Sequence, residues 1–184
     1  KLQQLPATLH RANTMSASPG RVAPTWIPPT AGETKLILVG PVAKSSNVGV
    51  VAIVCRNEEG LFLGASAIAF HGITEPTILE AYACREALAL AEDMVVTKVR
   101  IASDCLRVIN DLKSQVHRGE YCMILNDIHE TKSSFLSCEF VHEQRASNSE
   151  ALNLARMATT LDIGRHVWLN GPLDHLCIPQ NIMI

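Results

Sequence analysis

Glu80 and Asp104 are the acids whose placement could do chemistry. Glu80 falls in the first turns of an Ala- and Leu-rich segment opened by Pro76, and Asp104 follows the short apolar run Lys98 to Ala102. A carboxylate just beyond a strand and another on a nearby helix can converge at one edge of a sheet, where hard divalent cations find oxygen ligands. Each acid also has a plain structural reading. Glu80 is a helix-favouring acid near a helix N-terminus, and Asp104 with Ser103 supplies capping groups for the helix that follows. His142, Arg145 and Asn148 come after another apolar run, Phe135 to Val141. A histidine there can move protons or sit in a surface loop, and an arginine can meet a phosphate or pair with an acid such as Glu143. An asparagine there can cap a helix.

The elements that would carry these residues can be read from hydrophobic period. Lys35 to Val39, Val48 to Cys55 and Leu61 to Phe70 are short apolar runs, the second rich in β-branched residues, which predicts three strands. The polar stretch Arg56 to Gly60, ending in Gly, suits a hairpin and makes the second and third strands antiparallel. Leu79, Ala83, Ala87, Leu90 and Ala91 recur at helical spacing after Pro76. A fourth strand over Lys98 to Ala102 precedes a helix running to about Val116. A third helix spans about Tyr121 to Lys132, a fifth strand Phe135 to Val141, and a last helix Ser147 to Leu161, capped by Ser147 or Asn148. The expected architecture is α/β: a mixed five-stranded sheet, three antiparallel strands then two parallel ones, with helices on both faces. Residues 1–33 carry Pro19, Pro24, Pro28 and Pro29 without sustained period and read as a flexible arm. The domain is then expected over 34–162, with a Pro-containing tail over 163–184.

Composition narrows the classes. The chain has 184 residues, 47% of them apolar, enough for one domain with a real core. Its formal charge is -2, so any nucleic-acid contact must be local. Lys44, Arg56, Arg107, Lys113 and Arg118 are scattered among acids and read as solvated surface charge that could also meet phosphates. Cys55, Cys84, Cys105, Cys122, Cys138 and Cys177 form no CxxC pair, which favours free thiols in a reducing compartment over a zinc site or disulfide framework. An intracellular location, nuclear or cytoplasmic, is expected. No stretch approaches the roughly 20 apolar residues of a membrane helix. The start at Lys1 reads as a fragment of a longer product. Trp26 and Trp168 are expected to staple the terminal segments onto the core.

Four separated blocks carry a resemblance. TILEAYACREALALAED from Thr77, then VRIASDCLRVINDL, then FVHEQRASNSEALNLA resemble the successive core motifs of plant-type, retroelement-derived ribonuclease H-like domains of the reverse transcriptase-like family. Upstream, WIPPTAGETKLILVGPVA resembles the family's entry segment, and GRHVWLNGP resembles a tail of one of its branches. The resemblance runs in order from about Trp26 to the C-terminus.

It implies Mg²⁺-dependent (or Mn²⁺-dependent) hydrolysis of the RNA strand of an RNA/DNA hybrid. Four acidic positions there hold two ions on the scissile phosphate, one activating water and the other stabilising the leaving oxygen. By resemblance, Glu80 and Asp104 match two of those positions and are the expected metal ligands and catalytic acids, with His142 as an accessory. The family's first strand reads Lys, apolar, Asn, Val, Asp, Gly; here it reads Lys35 to Gly40 with Val39 in place of the Asp. Its last helix carries Asp or His where this chain has Leu152. Glu150 is about 200° around the helix from residue 152 and a poor substitute, and Asn153 a weaker ligand still. By resemblance, Ser45, Ser46 and Asn47 fall in the loop that approaches the hybrid's minor groove and its 2′-hydroxyls. The expected function is hybrid or other nucleic-acid binding with hydrolysis impaired. The alternative is a domesticated, non-catalytic scaffold that meets a protein partner through its termini.

Overall fold

The computed structural model describes residues 26–40, 47–114, 119–169, 171 and 178–182. Lys44, Ser45, Ser46, Arg118 and Cys177 lie outside the described residues. In chain order the elements are β1 (Thr34–Val39), β2 (Val48–Arg56), β3 (Phe62–His71), α1 (Pro76–Asp93), β4 (Lys98–Ser103), α2 (Leu106–Lys113), α3 (Cys122–Lys132), β5 (Ser137–His142), a 3-10 turn (Arg145–Asn148), α4 (Ser149–Ala158) and β6 (Gly164–Trp168). The strands form one sheet in the order β5-β4-β1-β2-β3-β6. β1, β2 and β3 are antiparallel neighbours, β4 runs parallel to β1, and β5 parallel to β4.

The expected three-plus-two pattern is therefore present, but the sheet has six strands rather than five. The sixth comes from the segment expected to be a tail: Gly164–Trp168 pairs antiparallel with β3, from Ala69↔Gly164 to Ala65↔Trp168. Arg165 secures it, donating to Glu86 at 2.8 and 2.9 Å and to Asp93 at 2.6 Å, both acids on α1.

Alternation along the strands divides the core into two layers. Leu36 and Leu38 of β1 face the cluster made with α1, α2 and α3, including Leu79, Leu88, Val108 and Ile128. Ile37 and Val39 face the opposite cluster, made with Ala151, Leu154 and Ala155 of α4. Central strands β1 and β2 are buried on both faces, which explains why their apolar runs are nearly continuous. Each fully buried aliphatic side chain contributes roughly 1.5–3 kcal/mol relative to exposure.

Local chemistry fixes the ends of the elements that matter for the site. The β2–β3 turn closes on Asn57, whose Oδ1 accepts from the amides of Glu59 and Leu61, with Gly60 at φ 76°. α1 begins as expected at Pro76; Glu75 caps it by accepting from the Ile78 amide at 2.6 Å. Two expected caps are different. The residue at the N-cap of α2 is Cys105, whose amide donates to Ser103 Oγ at 3.0 Å, so Asp104 is not the cap. The last helix begins only at Ser149, after a 3-10 turn, and Asn148 makes no side-chain cap. Asn148 is buried instead and donates from Nδ2 to the Leu38 carbonyl at 3.3 Å, tying the start of α4 to the end of β1.

Two cations expected to mark the surface or entry segment are entirely buried. Arg56 makes a two-pronged pair with Glu150 of α4, at 2.9 and 2.8 Å, and donates to the carbonyls of Gly60, Pro179 and Gln180. Lys35 pairs with Glu143 at 2.6 Å, donates to the Ile27 carbonyl at 2.7 Å, and sits 4.8 Å from the centre of the Trp26 ring. Each cation thus pins a terminal segment against the sheet. Trp26 and Trp168 both pack on the α4-side cluster, in line with the stapling role read from sequence.

Candidate active site

Parallel β1 and β4 end side by side, with α1 crossing behind them, and this places the two expected acids together. A cavity of about 230 Å³ opens at that edge, lined by Val39 and Gly40 after β1, Pro76 and Glu80 of α1, Asp104 after β4, and Arg145, Asn148 and Leu152. Glu80 and Asp104 are thus brought to one cavity, together with both aliphatic positions that depart from the family pattern.

Glu80 is held from both sides. Its Oε1 accepts from the Gly40 amide and its Oε2 from the Ser103 hydroxyl, each at 3.1 Å. The approach at Gly40 needs glycine: a Cβ there would lie 2.8 Å from Glu80 Cδ and 2.9 Å from Oε1. Burial, reinforced by the negative charge of Asp104, pushes the Glu80 carboxyl up to about 7, against the opposing pull of its hydrogen bonds and of Arg145. Asp104 is partly exposed, and its Oδ2 is 4.0 Å from Arg145 Nε.

His142 does not line the cavity. It is exposed at the end of β5, opposite Ser103 in the β4–β5 register. Glu150 is turned to Arg56 and Glu143 to Lys35, so neither acid is available to the cavity. Asn47 is exposed, with φ 56°, immediately before β2. Sequence reasoning missed the buried roles of Arg56, Lys35 and Asn148; no periodicity signals a buried cation whose partner lies about a hundred residues away.

A pair of divalent ions requires several oxygen ligands, with carboxylates spanning both. Here the cavity offers two carboxylates, one already occupied by two hydrogen-bond donors, and the Val39 and Leu152 side chains carry no ligand atom. Among the described residues there is no cluster of three or more His, Cys, Asp or Glu side chains able to hold a metal. The donor set does not fit a two-ion centre.

Residues 39–158 match the family described as reverse transcriptase-like. The chain belongs to the reverse transcriptase-like family. The family match begins at Val39 and ends with α4, so it contains every residue that lines the cavity. No curated protein matches the sequence. Among solved structures, the reverse transcriptase-like chain is similar to ribonuclease H1 from the halophilic archaeon Halobacterium salinarum, with 21% identity and a TM-score of 0.62 over 70% of this chain and 98% of that one. It is similar to LC11 ribonuclease H1 in complex with an RNA/DNA hybrid, with 17% identity and a TM-score of 0.61 over 70% and 99%. It also resembles part of the prototype foamy virus protease-reverse transcriptase, with 17% identity and a TM-score of 0.57 over 70% of this chain and 21% of that one. These structural likenesses establish a ribonuclease H-like fold. No helix among the described residues is long and apolar enough to cross a membrane.

Proposed function

We propose that this reverse transcriptase-like domain binds nucleic acid, with RNA/DNA hybrid as its substrate class, and that Mg²⁺- or Mn²⁺-dependent hydrolysis of the RNA strand is impaired. The observation that carries the reading is the make-up of one cavity: Glu80 and Asp104 retained, Val39 and Leu152 beside them. The hybrid-bound state of a protein with the same fold supports the substrate class. In this reading Glu80 and Asp104 are the remaining catalytic and metal-ligating acids, and His142 is an accessory at the exposed edge. Glu80, with its carboxyl near 7, can hold or release a proton at neutral pH. No feature of the described residues favours the protein-interaction scaffold over the nucleic-acid module.

The test is cleavage of a labelled RNA/DNA hybrid in Mg²⁺ and in Mn²⁺, comparing the chain with Glu80→Gln, Asp104→Asn, Val39→Asp and the Val39→Asp/Leu152→Asp pair. The expected result is little or no cleavage by the parent and a gain in the doubly substituted chain. Strong parental cleavage that disappears in Glu80→Gln and Asp104→Asn would overturn the impairment.

A further inference from the structure

We propose that Arg145 seats a phosphodiester of the bound nucleic acid at this cavity and does so without a divalent ion. The inference rests on the hybrid-binding reading above and adds how the backbone is held.

Arg145 differs from the other described arginines that form ion pairs. Arg56, Arg85, Arg100 and Arg165 each meet a carboxylate at 2.6–3.2 Å, whereas the Arg145–Asp104 distance is 4.0 Å, beyond hydrogen-bond reach. The Arg145 side chain is 74% exposed at the mouth of the cavity. Its backbone position is nevertheless fixed. Arg145 opens a 3-10 turn whose last residue, Asn148, is buried and bonded to the end of β1. A guanidinium on a fixed base, oriented by one acid without being consumed by it, presents the forked donor that phosphate oxygens accept.

The charge of the cavity agrees with that role. Carboxylates on all four family positions would repel a phosphate unless divalent ions intervened. Two of those positions are uncharged here, as Val39 and Leu152, and Glu80 is turned inward to Gly40 and Ser103. Asp104 is the remaining acid facing the mouth, and Arg145 stands beside it with the opposite charge. The local balance therefore removes the need for a metal bridge between protein and backbone.

The experiment is fluorescence anisotropy of a labelled RNA/DNA hybrid with the full chain at low salt, in EDTA and separately in Mg²⁺. The variants are Arg145→Ala, Arg145→Lys and Arg145→Glu. Arg156→Ala, which removes the same charge from an exposed site in the last turn of α4, is the control. The expected result is binding in EDTA that Mg²⁺ does not strengthen, and a loss of about tenfold in Arg145→Ala. The slope of log affinity against log salt should shrink by about 0.9, with partial rescue by Lys and a larger loss with Glu. Arg156→Ala should stay within about twofold of the parent. Binding that appears only with Mg²⁺, or equal effects of Arg145→Ala and Arg156→Ala, overturns the Arg145 assignment and leaves hybrid binding standing. No binding in either buffer overturns the hybrid reading itself.

Discussion

The Gly40 amide donates to Glu80 Oε1 at 3.1 Å, so the end of β1 and the second turn of α1 are joined through a carboxylate in addition to the aliphatic packing of Leu36 and Leu38 on Leu79. The Ser103 hydroxyl completes the clamp from the end of β4. A side chain at position 40 cannot enter without displacing that carboxylate. Gly40→Ala should therefore cost about 1–3 kcal/mol through the displaced buried carboxyl, read as a lower midpoint in urea unfolding with unchanged slope.

Burial of the same carboxyl makes stability depend on pH. The ordinary value of 4.5 rises to about 7 in the folded chain, so the native state keeps a proton that the unfolded state has released. Stability from this group is fully present below about pH 4.5 and is lost as pH rises through about 7, by up to about 3 kcal/mol. Glu80→Gln stays neutral and should flatten that fall. Urea unfolding at pH 5 and pH 8.5, without divalent ions, checks it: the variant should gain on the parent at the higher pH, and an equal difference at both would sink the account.

Val39 is buried in the α4-side cluster against which Leu152 packs, so the two departures from the family pattern reinforce one another as apolar core. Val39→Asp alone puts a carboxylate into that layer and should destabilise the chain by about 2–4 kcal/mol at pH 8 in EDTA, with a smaller cost at pH 5 where the acid is protonated. If the new carboxylate completes an ion site with Glu80 and Asp104, Mg²⁺ should return part of the loss, which thermal melting with and without the ion would report.

Arg56 and Glu150 give a larger effect away from the cavity. Removing Glu150 leaves a fully buried guanidinium with carbonyl partners only. Glu150→Ala should cost about 3–5 kcal/mol. The carbonyls of Pro179 and Gln180 are held by the same guanidinium, so limited proteolysis should cut sooner around 178–182 in the variant. Unchanged melting would show that Arg56 needs no acid.

The sheet and helices were legible in the sequence where hydrophobic period was long or continuous: β1 to β3, and α1 with its Pro76 start. β6 was not, because Gly164–Trp168 is a short edge strand ending in Val167 and Trp168 with no alternating pattern, and its pairing is set by β3 and by Arg165 reaching α1. The cavity was half legible. Glu80 and Asp104 could be placed by the strand and helix that precede or carry them, but their partners could not. Gly40, Ser103 and Arg145 come from three segments other than α1, and their contacts follow from the parallel β1–β4–β5 register that no local pattern records.

Val95 carries the last expectation. It follows the C-cap residue of α1 with φ 57°, a conformation in which a β-branched side chain crowds its own backbone. The side chain is 84% exposed, so little packing offsets the strain. Glycine is the usual residue at this point, and its gain in the folded state outweighs the extra freedom of the unfolded chain. Val95→Gly should raise stability by about 1 kcal/mol and shift the melting temperature upward by a few degrees. Because Val95 lies past the opposite end of α1 from Glu80, hybrid affinity should not change. A fall in stability on this substitution would mean that the exposed valine is engaged by something that offsets its strain.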